Sequence, residues 1–141
     1  MEINAKIIEK QEELLSIIKG GTNPLDYIKN ESDVDLICSA IAHESKSQDP
    51  YFDETAETLL KAIVYYLIDM KEETKTLERC KEIVELGLNE NDGRTKVKEL
   101  FESLNDEERA RALYISIDIA PDRTYKGIFE TLNEKLASIL N

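Results

Sequence analysis

The chain has 141 residues, 30 acidic against 18 basic, a formal charge of −12 and 41% hydrophobic residues, which fits one domain able to bury a core without staples. Five glycines and three prolines exclude collagen-like, proline-rich and disordered classes. Strand formers are sparse and never alternate cleanly, so the composition predicts an all-α fold, and the net charge has the wrong sign for a domain that lives by neutralising phosphates. In chain order, Ile3, Ile7, Leu14 and Ile18 share one face at helical spacing over residues 1–19, flanked by Ile8 and Leu15. Gly20-Gly21 stops that helix, Thr22-Asn23-Pro24 opens a new segment as an extended turn, and residues 25–28 make at most one short turn. Ser32 is the predicted N-cap of a helix running to about His43, with Asp35 in its first turn, followed by a polar loop over residues 44–48.

Asp49-Pro50 is a strong start signal, because Asp caps free amides and proline at the first helical position has no donor to waste. The helix that follows, over about residues 51–70, carries Ala56, Leu59, Leu60, Ile63, Val64, Leu67 and Ile68 as well as Tyr65 and Tyr66. Its second half is apolar nearly all round, the mark of a central buried helix. Thr76 caps a shorter helix over residues 77–86, with Gly87 expected just past its end. Asn89–Gly93 is a turn cluster, and residues 95–104 present Val97, Leu100, Phe101 and Leu104 as one stripe. Asn105 is the predicted cap of the next helix, striped by Ala110, Leu113, Tyr114, Ile117 and Ala120. After Pro121, Asp122 is the predicted cap of the last helix, striped by Tyr125, Ile128, Phe129, Leu132, Leu136, Ile139 and Leu140. The expected architecture is a compact bundle of about six to seven helices around the helix at 51–70. Residues 1–22 form an amphipathic helix with a Gly-Gly linker ahead of an all-α domain at 23–141.

Chemistry is scarce in this pattern. No glycine-rich phosphate loop of the G-x-x-x-x-G-K-[ST] kind occurs. The residue three before the single histidine, His43, is Ala40, which rules out a helical Glu-x-x-His metal motif. Cys38 and His43 are separated by about 140° around a helix and share no ligand face. The two cysteines, Cys38 and Cys80, read as small buried apolar side chains in a reducing compartment. Ser39 and His43 could touch at a spacing of four, but acyl chemistry would also need an orienting group and an oxyanion site. Asp53, Glu54 and Glu57 open the central helix, where carboxylates complement its positive end and pair with Lys61. The longest apolar run, residues 62–68, is too short to cross a bilayer, and residues 1–19 lack the apolar core of a signal peptide. No residue is read as catalytic, cofactor-binding or metal-binding.

Nucleic acid is disfavoured by the total charge, yet local patches can defy a total. Arg94, Lys96 and Lys98 stand close together, although Glu90, Asp92 and Glu99 offset them, and Arg109 and Arg111 follow three acidic residues. Arg123 and Lys126 flank Tyr125, a basic–aromatic pairing that could stack on a base. The candidate nucleic-acid contacts are therefore Arg94, Lys96, Lys98, Arg123, Tyr125 and Lys126, with solvated helix faces as the bland alternative.

Several pieces in order carry a resemblance: Asn23-Pro24-Leu25-Asp26-Tyr27-Ile28, then a helix, then Asp49-Pro50-Tyr51-Phe52, Ala56 and Leu59-Leu60-Lys61-Ala62 leading to Tyr65-Tyr66-Leu67. With Asp122-Arg123-Thr124 and the apolar helix at 128–136, the stretch from Asn23 to Leu136 resembles the all-α domain of type IV secretion coupling proteins, the TraG-type conjugative DNA-transfer ATPases. The resemblance implies a part of a hexameric ATPase anchored in the cytoplasmic membrane. This part would face the cytoplasm and recognise a relaxase, its relaxosome or secreted proteins before transfer. The family's Walker motifs have no counterpart among these residues, so no ATP site is carried over. Residues 1–22 depart from the family pattern, where a nucleotide-binding-domain strand should end. They read as an engineered helix or as the mark of a divergent stand-alone relative, with an apolar face that needs cover from the domain or a second copy.

Overall fold

The protein is described by a computed structural model over residues 12–105 and 108–140. Among these residues the chain forms seven α-helices, one 3₁₀ turn and no strand. The first helix, α1, covers residues 12–19, and the portion of the N-terminal helix expected before it lies outside the described residues. A 3₁₀ turn at Pro24–Tyr27 leads to α2 (Glu31–His43), α3 (Pro50–Asp69) and α4 (Leu77–Gly87). The chain then forms α5 (Gly93–Glu102), α6 (Arg109–Asp118) and α7 (Asp122–Leu140).

The central helix starts where its local chemistry dictates. Asp49 is the N-cap, its carboxylate accepting from the Tyr51 amide at 2.9 Å, and Pro50 occupies the first turn. From there α3 runs for 20 residues, about 30 Å, and packs against α2, α6 and α7. Leu59, Leu60, Ala62, Ile63 and Leu67 lose all exposure to water. Each such large side chain contributes about 1.5–3 kcal/mol of burial energy. α7 closes the bundle against α3 and α4, while α5 bridges α4 and α6.

Residues 12–19 do not stand apart from the domain: Ile18 is buried in the common core, with Leu14 and Leu15 packed against it. Gly21, at φ 93°, ends this helix in a conformation L side chains rarely adopt. Asn23 then fixes the entry to the domain. Its side-chain oxygen accepts from the Leu25 amide at 3.2 Å, and its amide nitrogen donates to the Lys75 carbonyl at 2.7 Å. The turn at Pro24–Tyr27 is thereby tied to the connection between α3 and α4.

Several helix ends differ from the sequence expectation, and α5 covers Gly93–Glu102 where the pattern predicts residues 95–104. α2 is capped by Asn30, not Ser32: the Asn30 side chain accepts from the Asp33 amide at 3.0 Å, and Asp33 reaches back to accept from the Lys29 amide at 2.9 Å. This reciprocal arrangement satisfies two amides, which leaves Ser32 an ordinary first-turn residue. Asn30→Ala should therefore lower stability by about 1 kcal/mol while Ser32→Ala stays near zero, as thermal melts of the two variants would show. Gly87 is the last residue of α4 rather than the residue beyond it, and its role is spatial, since a Cβ there would lie 2.3 Å from the Phe129 ring. α6 is preceded by Glu108 instead of Asn105, because the Glu108 amide first closes a turn onto the Asn105 carbonyl at 3.0 Å. The expected acidic neighbours Asp106 and Glu107 lie outside the described residues. Asp122 is already inside α7, whose first turn closes when the Tyr125 amide donates to the Pro121 carbonyl at 2.8 Å.

The corner between α4 and α5 depends on one missing side chain. A Cβ on Gly93 would come within 2.4 Å of the Leu86 carbonyl oxygen. α5 therefore begins pressed against the end of α4, preceded by Asp92 at φ 60°.

Candidate interaction surface

Several of the described basic side chains are held by carboxylates of the same chain. Arg109 grips Asp69 with two nitrogens at 3.0 and 3.2 Å, reaches Glu31 at 3.1 Å and lies 4.0 Å over the Tyr65 ring. Burial would lower its pKa, but the carboxylates outweigh that and raise it, so it is permanently charged. Arg79 bridges Glu72 and Glu82, and Lys61 bridges Glu57 and Asp35. The His43 imidazole completes the second group, with Nε2 2.7 Å from Glu57 Oε1. The single histidine is thus aimed at a carboxylate on α3, at the α2–α3 seam.

Asp53 departs from expectation. It is buried, and it pairs not with Lys61 but with the equally buried Lys135 at 2.9 Å. Lys135 also donates to the Ser45 carbonyl at 2.7 Å, and the Ser47 amide donates to Asp53 at 3.0 Å. Burial would raise the Asp53 carboxyl, but the bonds from Lys135 and Ser47 outweigh it and hold the pKa below the ordinary carboxylate value. The pair pins the loop between α2 and α3 onto α7. Glu57 pairs with Lys61 as the four-residue spacing implied.

The six candidate nucleic-acid contacts do not assemble into one basic face. Arg94 is a clamp on the α6–α7 corner: it donates to Asp122 at 2.8 Å and to the carbonyls of Asp118 and Ala120, and its guanidinium lies 4.1 Å over the Tyr125 ring. Tyr125 is only 3% exposed, stacked on Phe129 and hydrogen-bonded through its hydroxyl to Tyr114 at 2.8 Å. Burial pushes its phenol up to about 12. This corrects the expectation that Tyr125 could receive a base, because its faces are taken by Phe129 and Arg94. Lys98 lies 3.5 Å from Asp118, and Lys126 lies 4.0 Å from Glu130. Lys96 and Arg123 are exposed on different helices, Arg123 bordering a shallow groove with Phe52, Lys126 and Glu130.

Cys38 and Cys80 are free thiols without exposure, and burial pushes both up, Cys80 to about 12. Among the described residues no three metal-ligating side chains come together, and no helix is long and apolar enough to cross a membrane.

Where the surface is unusual, it is apolar. Ile115 and Ile119 are 54% and 78% exposed, one turn apart on the outer side of α6. The sequence stripe of that helix, through Ala110, Leu113, Tyr114 and Ile117, left these two out. The signal was available, since two large apolar residues off the core stripe are the sequence trace of an uncovered face. The chain shows no match to any family model, curated protein or solved structure.

Proposed function

We propose that this chain is a protein-docking module. The reading follows its resemblance to the all-α domain of type IV secretion coupling proteins. The module would receive relaxase or relaxosome proteins, or secreted proteins, on the cytoplasmic side of a membrane-anchored hexameric ATPase, whose nucleotide hydrolysis would belong to other residues. The observation that carries the reading is electrostatic. Acidic side chains outnumber basic ones 30 to 18, and Arg79, Arg94, Arg109, Lys61 and Lys135 each pair with a carboxylate of the same chain, which leaves that acidic excess unbalanced. The field left outside is negative, which favours basic proteins as partners and speeds their encounter.

Direct contact with DNA gains less support, since Arg94 and Tyr125 hold the α6–α7 corner and Lys98 and Lys126 lie beside carboxylates. A calorimetric titration with a conjugative relaxase tests the reading. Binding is expected at about 0.05 M salt and should weaken several-fold by about 0.3 M as screening shortens the reach of the field. An absence of binding at low salt, or anisotropy titrations showing tight capture of oligonucleotides instead, would refute it.

A further inference from the structure

The outer side of α6 is apolar without a reason in the fold. Ala112, Ile115 and Ser116 are exposed on α6, and Ile119 continues the row at its C-cap. Isoleucine is β-branched and a poorer helix former than alanine or leucine, so helix propensity does not ask for it here. The core does not ask for it either, because Ala110, Tyr114 and Ile117 already bury the inner face of the same helix.

From this we infer that the row Ala112–Ile115–Ser116–Ile119 seats an apolar helical face of a basic partner protein. The choice of occupant rests on charge. A second copy would bring another −12 charges to the contact, and like charges at that density oppose association. A basic partner is drawn in by the same field. Near the row itself the charges cancel locally, with Asp118 and Asp122 held by Arg94 and Lys98. Long-range attraction therefore recruits, and the two isoleucines supply the contact that excludes water.

This inference rests on the docking reading and adds a location to it. The test uses the whole chain and a fluorescent synthetic peptide with leucines along one helical face and lysines at both ends, in about 0.1 M salt. Two variants each add two negative charges: Ile115→Asp with Ile119→Asp on the row, and Gln48→Glu with Asn91→Asp elsewhere on the exposed surface. If the row seats the peptide, the first variant loses at least about tenfold in affinity while the second binds as well as the wild type or tighter. If the first variant binds the cationic peptide as tightly or more tightly, charge alone accounts for binding and the inference is overturned. A wild-type dimer in sedimentation that the first variant dissolves would also overturn it, by giving the row to a second copy. Thermal melts confirm that both variants are folded, since all four positions are exposed. A relaxase that binds wild type and the row variant equally removes this location and leaves the docking reading intact. A row-dependent peptide complex without any relaxase complex keeps the location and removes that partner class.

Discussion

Replacing Lys135 by methionine is expected to destabilise the protein by about 3–5 kcal/mol, because it strands the Asp53 carboxylate in the interior without its counter-ion. Against a total stability of about 5–15 kcal/mol for a domain, that is a large fraction, and it should be plain in urea unfolding curves. The loss should be partly restored by Asp53→Leu on the Lys135→Met background, since removing both charges avoids the stranded ion. Dependence on pH identifies the cause. Asp53 has a folded pKa below its unfolded value, so its contribution is complete above the unfolded pKa of about 3.9 and disappears as pH falls through the folded one. The gap between wild type and Lys135→Met should therefore narrow below about pH 4. A gap that stays constant down to pH 2 would mean that Lys135 acts through packing of its stem and not through its charge.

Phe101→Ala should cost a similar amount, about 3–5 kcal/mol, by a different route. The ring is 1% exposed, stacked on Tyr114 at a centroid distance of 4.3 Å and tilted against Tyr66 at 5.6 Å. It is the point where α5 meets both α3 and α6. Truncation removes the buried area and also leaves a cavity that the two tyrosines cannot fill without leaving their rotamers. Phe101→Leu keeps most of the volume and should lose markedly less. Equal losses for the two substitutions, measured by chemical denaturation, would contradict this account.

How far the sequence could be read depended on whether the deciding chemistry was local. Asp49-Pro50 announced α3 because cap and first turn are neighbours in the chain, and the apolar residues that follow at helical spacing from Ala56 to Ile68 mark it as buried. Asn30 and Ser32 are both good capping residues standing two apart, and only the path of the preceding backbone decides between them. Tyr125 carried two competing signals, a place on the apolar stripe of α7 and a pair of basic neighbours. The stripe prevailed, because burying a tyrosine whose hydroxyl finds a partner gains more than a stack held open for a ligand. Lys135 sat in that same stripe between Leu132 and Leu136, and its partner on α3 could not be found by any spacing rule.

The residues that carry the family resemblance have structural duties. Asn23 ties the entry turn to the Lys75 carbonyl, Pro24 and Leu25 are buried, and Asp49 caps the central helix. Such duties speak to architecture more than to partners. The surface row on α6 owes nothing to those motifs, and its sequence trace is a pair of isoleucines, Ile115 and Ile119, off the core stripe of that helix.

The two sheltered thiols give the molecule a native clock. Neither sulfur meets solvent while the helices are closed, and neither ionises readily there, so an alkylating reagent can react only during an opening event. Cys38 sits on α2 and Cys80 on α4. The pace at which each acquires a label then separates partial loosening of one helix from collapse of the whole bundle, without any engineered reporter.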